Sequence, residues 1–122
     1  MKVTNFQDLT CWKKARELVK QVYQSSNTKA FSQDFSLKDQ IRRASVSVMA
    51  NIAEGFGARS RLEFCKYLSI SIRSAYEVHS HLFVALDVGH VSEKQFKLLE
   101  TLVNDCINLC KGFMRYLNKA EK

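Results

Sequence analysis

The chain has 122 residues, which is the size of one domain and enough to close one hydrophobic core without a disulfide or a metal. Hydrophobic residues make up 46% and charged residues 25%, a balance that excludes a disordered tail. Nineteen Lys and Arg residues against 12 Asp and Glu residues give a net charge of +7, which favours anionic partners. We therefore expect a single globular domain over residues 1–122.

Glycine and proline are scarce, with 4 Gly and no Pro, which argues against a turn-rich β fold. No apolar run approaches the roughly 20 residues that a membrane span needs. The segment from Met1 to Lys14 has no apolar core of the kind that a signal peptide carries. These features predict a cytoplasmic protein with no membrane partner.

The sequence contains four cysteines: Cys11, Cys65, Cys106 and Cys110. Cys106 and Cys110 are four residues apart and share a helix face, but no further motif supplies the two extra ligands that a metal site would need. Without a secretory signal, a disulfide scaffold is not indicated. We predict that the cysteines are reduced core residues.

Apolar residues recur with helical spacing along four stretches of the chain. In the last stretch they step by three and four residues and form a seam: Phe96, Leu99, Val103, Cys106, Cys110, Phe113 and Leu117. A similar seam in the third stretch runs from Phe64 to Ala85. Short connections at 56–59 and 89–91 require antiparallel neighbours. The sequence predicts an all-α, antiparallel up-down four-helix bundle, with helices at about 9–26, 37–55, 61–88 and 93–118.

Capping residues mark the helix ends. Three serines stand at predicted N-caps, each with an acceptor side chain three residues on: Ser36, Ser60 and Ser92. We expect Gly55 and Gly57 to end the second predicted helix and Gly89 the third, because glycine adopts the left-handed conformation at little cost.

The second predicted helix carries a polar stripe beside its apolar one: Gln40, Arg43, Ser47, Asn51 and Glu54. It could be a solvated face, but apolar residues on the opposite flank favour an enclosed helix. A buried charge would then need a partner, and the third predicted helix offers Ser74, Glu77 and His81. We predict a structural polar layer between these helices or between subunits, with Glu77 as a candidate partner of Arg43.

Three motifs resemble those of a known family. The opening Phe6-Gln-Asp-Leu-Thr-Cys-Trp-Lys-Lys-Ala15 is similar to F-x-D-L-x-V-W-x-K-A, Gln40-Ile-Arg-Arg-Ala44 to Q-I-R-R-A, and Asn51-Ile-Ala-Glu-Gly-Phe-Gly57 to N-I-A-E-G-x-G. These motifs are typical of the bacterial four-helix bundle proteins encoded in intervening sequences of 23S rRNA genes. The resemblance covers about residues 6–117, and Ser74 with Glu77 continues it. Met49 and Arg73 depart from it, since the family commonly has proline and glycine there.

The resemblance implies an antiparallel four-helix bundle that assembles into a ring- or barrel-shaped homopentamer. Related proteins are accessory factors of diversity-generating retroelements, in which a basic pentamer binds nucleic acid and a reverse transcriptase. Tyr67, Ile70, Phe83 and Leu98 fall outside the apolar seams, and so much apolar surface also favours an assembly. We therefore predict a cyclic homo-oligomer, with a pentamer favoured.

Catalytic patterns are lacking. Glu77 and His81 are four residues apart, whereas a di-iron bundle uses Glu-x-x-His pairs, and there is no P-loop or nucleophile motif. His79 and His81 diverge around their helix, and His90 lies in a predicted turn, where we expect it to be solvated. We predict a protein without enzymatic activity, cofactor or metal.

Basic residues are arranged in rows. Two rows follow one face of the first and of the last predicted helix, and a pair brackets the start of the third, where the helix dipole favours an anion. These cations could simply keep the surface soluble, and a scaffold that docks another protein is the alternative function. We predict weak, sequence-independent binding of RNA or single-stranded DNA by its phosphate backbone, through Lys13, Arg16, Lys20, Arg59, Arg61, Lys111, Arg115 and Lys119.

Overall fold

A computed structural model of the chain describes residues 3–120, and this part contains helices and no strand. The terminal residues 1–2 and 121–122 of the predicted domain lie outside the described residues. None of the described helices is long and apolar enough to cross a membrane. The elements are a 3-10 helix at Phe6–Asp8, α1 (Thr10–Ser25), α2 (Lys29–Gln33), α3 (Phe35–Phe56), α4 (Arg61–Asp87) and α5 (Glu93–Ala120).

The four long helices form an antiparallel bundle. Helix α3 packs on α4, α4 packs on α5, and α1 packs on both α3 and α5. Arg42 near the start of α3 donates from Nε to Ser26 Oγ, just past the end of α1, at 2.8 Å. Cys65 near the start of α4 lies 3.6 Å from Oδ1 of Asn118, near the end of α5. Such contacts between opposite ends of the helices confirm the predicted antiparallel order.

The core is built from the predicted seams. In α4 every member of the seam is buried: Phe64, Leu68, Ser71, Ala75, Val78, Leu82 and Ala85. In α5 the seam is buried as well, except that Phe113 is half-buried. The four cysteines are buried and none of them forms a disulfide, as the sequence predicts. The short helix α2, within the connection between the first two long helices, was not predicted.

The glycine at position 55 lies inside α3 and does not end it. A Cβ atom there would stand 2.6 Å from Cδ1 of Phe64 and 2.9 Å from Cβ of Tyr67, so glycine allows α4 to approach α3 closely. Helix α3 ends at Phe56 with Gly57 as its C-cap, so the helix stops where predicted, but the φ of −82° at Gly57 is not left-handed. Of the three glycines, only Gly89 adopts the predicted left-handed conformation, with a φ of +80°.

Two of the three predicted N-caps are confirmed. Ser60 Oγ accepts from the backbone N–H of Glu63, and Ser92 Oγ accepts from that of Gln95, both at 3.1 Å. The prediction for Ser36 is wrong, because α3 begins at Phe35, two residues before the predicted start, and the Asp34 side chain caps it instead.

The connection between α4 and α5 holds a half-buried histidine. The side chain of His90 is only 12% exposed, and its Nε2 lies 3.0 Å from Oδ2 of Asp34. The ring stacks on Phe31 of α2, with 4.9 Å between the ring centroids. The prediction of a solvated His90 is therefore wrong. Helix α2, which the sequence did not reveal, supplies the aromatic surface that covers it.

Candidate nucleic-acid interface

Basic side chains collect at the end of the bundle where α4 begins and α5 ends. Arg59 and Arg61 line a cleft of about 280 Å³ together with Tyr116 and Leu117 of α5. Arg115 and Lys119 line a second cleft on the other side of Tyr116. We call Arg59, Arg61, Arg115 and Lys119 the basic end. None of the described residues that line these two clefts is acidic.

Tyr116 stands between the two halves of the basic end. It lines both clefts and leaves 43% of its surface exposed. Its ring stacks on Phe113, at 6.0 Å between centroids and with an interplanar angle of 10°. An exposed aromatic ring among cations can stack on a base while the cations contact phosphates. The sequence alone does not single out this residue as a ligand contact; its position next to Arg115 in the basic row is the one local signal.

The loop before α4 fixes the position of the arginines. Ser60 caps α4, and the backbone N–H of Arg59 donates to Oε1 of Glu63 at 3.4 Å. Arg59 therefore precedes the cap and Arg61 begins the helix. Both are exposed. A phosphate in this cleft would meet two guanidinium groups near a helix N-terminus, where backbone N–H groups favour an anion.

Lys111 continues the α5 row towards the middle of the bundle. Its Nζ lies 3.4 Å from the hydroxyl of Tyr76 on α4 and 5.9 Å from the centroid of that ring. The row of Lys111, Arg115 and Lys119 thus begins at the groove between α4 and α5 and runs to the basic end.

The row on α1 belongs to another surface. Lys14 points to α5, where its Nζ lies 3.9 Å from Oδ2 of Asp105. Lys13, Arg16 and Lys20 lie roughly 100–160° around the helix from Lys14, given 3.6 residues per turn, and so face away from α5. All three are exposed, and the guanidinium of Arg16 lies 5.7 Å from the centroid of the Trp12 ring. The structure does not bring the two predicted basic rows together.

The charged members of the polar stripe are exposed. The Arg43 side chain is 80% exposed and pairs with Asp39 one turn away, at 3.1 Å, while Glu77 lies beside His81 at 3.2 Å. Glu54 is exposed as well. The prediction of a buried charge layer within one chain, with Glu77 as the partner of Arg43, is therefore wrong. The stripe follows the outer edge of α3, where water solvates the charges. Burial between subunits, which the sequence left open, stays a prediction.

The uncharged members of the stripe do connect α3 to α4. The hydroxyls of Ser47 and Ser74 lie 2.8 Å apart. Asn51 Nδ2 donates to the carbonyl of Ser47 at 2.8 Å and to its hydroxyl at 3.1 Å. Gln40 stays on its own helix, donating to Ser36 Oγ at 3.0 Å. A small polar contact thus replaces the predicted layer.

The apolar residues outside the seams are dispersed. Phe83 packs on His79 and Phe96, with centroid distances of 5.3 and 4.9 Å. Ile70, 36% exposed, lies roughly 140° around α4 from Phe83. Leu98 lines a separate cleft on α5. Within a single chain these residues do not form one patch.

The histidines are paired with single carboxylates. His79 Nε2 lies 2.8 Å from Oε2 of Glu100, and His81 contacts Glu77 of its own helix. Among residues 3–120 no group of three or more His, Cys, Asp or Glu side chains is arranged to hold a metal ion.

This geometry places the protein in the class of antiparallel helical bundles with a basic end. Residues 7–112 match the sequence model of the family described as 23S rRNA-intervening sequence protein. The chain belongs to this family, and the predicted resemblance is confirmed.

The fold is similar to that of a solved relative. A crystal structure of a protein of unknown function from the S23 ribosomal protein family of Bacteroides thetaiotaomicron superposes with a TM-score of 0.79 and 21% sequence identity. The match covers 86% of this chain and 98% of that one. At 21% identity, this comparison shows that the two proteins share a fold and carries no further conclusion. No curated protein matches the chain.

Proposed function

We propose that the protein is a non-enzymatic, cytoplasmic nucleic-acid-binding protein that holds the phosphate backbone of RNA or single-stranded DNA. The observation that supports this most directly is the basic end, where four cations line the same two clefts as the exposed ring of Tyr116. Cations attract phosphates of any sequence, and a tyrosine ring stacks on any base. Binding through this end is therefore weak, sensitive to salt and tolerant of sequence.

The positions of the other cations indicate which surface a bound strand would contact. Lys111 extends the basic end along the groove between α4 and α5, so a strand can follow α5 away from the end. The α1 row of Lys13, Arg16 and Lys20 faces another direction and lines neither cleft of the basic end. We propose that this row contributes to the overall positive electrostatic field of the chain, whose net charge is +7.

The experiment is titration of fluorescent RNA and single-stranded DNA with the purified protein at low salt. Replacing Arg59 and Arg61 together by Glu should weaken binding to all sequences alike. The matched control is the double replacement of Lys13 and Lys20 by Glu, which changes the net charge equally on the other surface. Equal losses in both variants would mean that net charge alone drives binding. Absence of a complex at low salt would contradict the proposal and favour the scaffold alternative.

The second part of the proposal concerns assembly. We propose a cyclic homo-oligomer, with five copies favoured by the resemblance to ring-forming relatives. Val46 of α3, 40% exposed, and Ile70 of α4, 36% exposed, provide apolar surface that such contacts would cover. Five copies of a +7 chain would concentrate +35 in one particle, which strengthens attraction for phosphates. Light scattering tests this part, and a stable monomer at micromolar concentration would contradict it.

A further inference from the structure

An arginine is held in a fixed position between α1 and α3. Nε of Arg42 donates to Oγ of Ser26 at 2.8 Å, and Nη2 donates to the carbonyl oxygen of Tyr23 at 3.4 Å. Ser26 is buried, and its own hydroxyl donates to the Val22 carbonyl at 2.8 Å, so its oxygen is oriented to accept from Arg42. The guanidinium carbon lies 4.4 Å from the centroid of the Tyr23 ring. These contacts fix the guanidinium and leave Nη1 without a hydrogen-bond partner among the described residues.

The fixed guanidinium lines an open cleft that collects further charge. The cleft has a volume of about 550 Å³, and Lys38, Asp39 and Arg43 of α3 line it beside Arg42. Three positive side chains and one negative side chain give its lining a net charge of +2. The exposed ring of Tyr23 forms the α1 side of the cleft. The cleft therefore offers cations and an aromatic surface to one ligand.

The positive charges of the cleft are not balanced within the described part of the chain. Arg43 pairs with Asp39 at 3.1 Å. Lys38 and Arg42 have no carboxylate within ion-pair distance in residues 3–120. They are four residues apart on one helix face, where like charges repel, and the carbonyl end of α1 supplies only a partial negative charge. A bound anion would relieve this repulsion.

We propose that this cleft is a binding site for a phosphate monoester. Such a group carries about −1.5 to −2 at neutral pH, which matches the net charge of the lining. Its oxygens can accept from Nη1 of Arg42 and from the ammonium group of Lys38, as charge-assisted hydrogen bonds. The cleft is larger than a phosphate group, so the organic part of the ligand can lie against the ring of Tyr23. The phosphate can belong to a small metabolite or to the end of a nucleic-acid strand, because both present the same chemistry.

This cleft is separate from the two surfaces of the proposed function. It lies where α1 ends and α3 begins, whereas the basic end lies where α4 begins and α5 ends. Val46, which the proposed assembly would cover, also lines the cleft, but Lys38 and Arg42 precede it by about two turns and one turn of α3. A phosphate held by these two cations need not contact Val46. Binding here can therefore be present or absent whatever the basic end binds.

The test is a titration of the isotope-labelled full chain with monomethyl phosphate at constant ionic strength. The NMR signal of the Arg42 Nε–H group is the readout, because its hydrogen bond to the buried Ser26 protects it from exchange with water. We expect a saturable shift of this signal. Dimethyl phosphate, which carries one charge as the backbone of a nucleic acid does, should bind about tenfold more weakly or worse, since it loses a charge-assisted hydrogen bond.

Two double variants provide the matched comparison. Lys38→Gln with Arg43→Gln abolishes the net charge of the cleft but keeps Arg42 and its contacts, and we expect affinity for monomethyl phosphate to fall about tenfold or more. Lys94→Gln with Lys97→Gln removes the same charge from a separate cleft on α5 and should bind like wild type. Thermal unfolding checks that both variants are folded. Absence of a saturable shift, equal affinity for the two esters, or equal losses in the two variants would each overturn the proposal.

Two larger ligands distinguish the sources of the phosphate. Adenosine monophosphate that shifts the Arg42 signal, and binds more weakly to the Lys38→Gln and Arg43→Gln protein, would support a small metabolite. An oligonucleotide that binds more tightly with a terminal phosphate than with a terminal hydroxyl, and loses this difference in the same variant, would support a strand end. If neither ligand behaved in this way, the proposal of a monoester site would be overturned, even with monomethyl phosphate bound.

Discussion

His90 Nε2 lies 3.0 Å from Oδ2 of Asp34, and 56 residues separate them in the chain. The other carboxylate oxygen of Asp34 accepts from the backbone N–H of Leu37 at 3.2 Å, which caps α3. One side chain therefore starts a helix and anchors the connection between α4 and α5. The ring of Phe31 adds a further contact to this connection by stacking on the imidazole of His90.

The Asp34 contact makes stability depend on pH. The hydrogen bond with His90, and then that with the Leu37 N–H, lower the pKa of Asp34 below its ordinary value of 3.8. A carboxyl with a lowered pKa in the folded state contributes stability above its unfolded pKa, and that contribution disappears as the pH falls through the folded pKa. We expect Asp34→Asn to be less stable than wild type at neutral pH, with the difference shrinking below about pH 4.

Urea unfolding at a series of pH values measures this difference. Asparagine is a good N-cap, so Asp34→Asn retains the start of α3 and isolates the loss of the charge beside His90. Ser36→Ala is the control, because Ser36 does not cap the helix, and its effect should be small and independent of pH. A constant difference between Asp34→Asn and wild type across the acid range would contradict the expectation.

Two glycines inside helices should respond to alanine in opposite ways. Alanine is favoured over glycine in a helix by up to about 1 kcal/mol. At Gly55 this gain is outweighed, because the new methyl group would meet Phe64 and the Cβ of Tyr67, which cannot rotate away. Overpacking of this kind costs about 1–3 kcal/mol, so we expect net destabilisation.

Gly112 is the matched position on α5. A Cβ atom there meets only the guanidinium of Arg115, at an ordinary distance of 3.6 Å. We expect Gly112→Ala to raise the free energy of unfolding by about 0.5–1 kcal/mol. Thermal or urea unfolding of both variants provides the measurement, and a stabilised Gly55→Ala protein would mean that α3 and α4 can separate at little cost.

The polar stripe should contribute little through its exposed charge. If Glu54 were buried, its truncation would cost about 3–5 kcal/mol. Because it is exposed, we expect Glu54→Ala to change stability by no more than about 0.5 kcal/mol. Ser71→Ala is the comparison, since the buried Ser71 hydroxyl donates to the Val48 carbonyl at 2.9 Å and its loss should cost about 1 kcal/mol. Unfolding experiments that reverse this order would indicate that Glu54 is enclosed in an assembly.

The sequence predicts well what depends on local periodicity. The seam from Phe64 to Ala85 is buried throughout, because residues three and four apart must share a helix face whatever surrounds them. Ser60 and Ser92 cap their helices for a similar reason, since a cap involves residues only three positions away.

Features that depend on distant parts of the chain were missed. The cap at Asp34 depends partly on His90, and the role of Gly55 depends on how closely α4 approaches. Apolar residues on both flanks indicated an enclosed stripe around Arg43, but a helix at the corner of a bundle can bury one flank and expose the other. Tyr116 was overlooked because only the folded chain places Arg59 and Arg61 beside it.

Phosphate contacts and base stacking in the proposed nucleic-acid interface should respond differently to salt. Replacing Arg59 and Arg61 by Ala should remove about two phosphate contacts, so the slope of log affinity against log salt should become shallower by about 1.4 for a single strand. Tyr116→Ala removes stacking, which contributes about 1–3 kcal/mol per base, but no charge. We expect it to weaken binding by about 5- to 150-fold with an unchanged salt slope, while Tyr116→Phe, which keeps the ring, should bind like wild type. Salt titrations of the three variants distinguish these effects. If the Tyr116→Ala protein bound with wild-type affinity, stacking would not contribute and the interface would bind through charge alone.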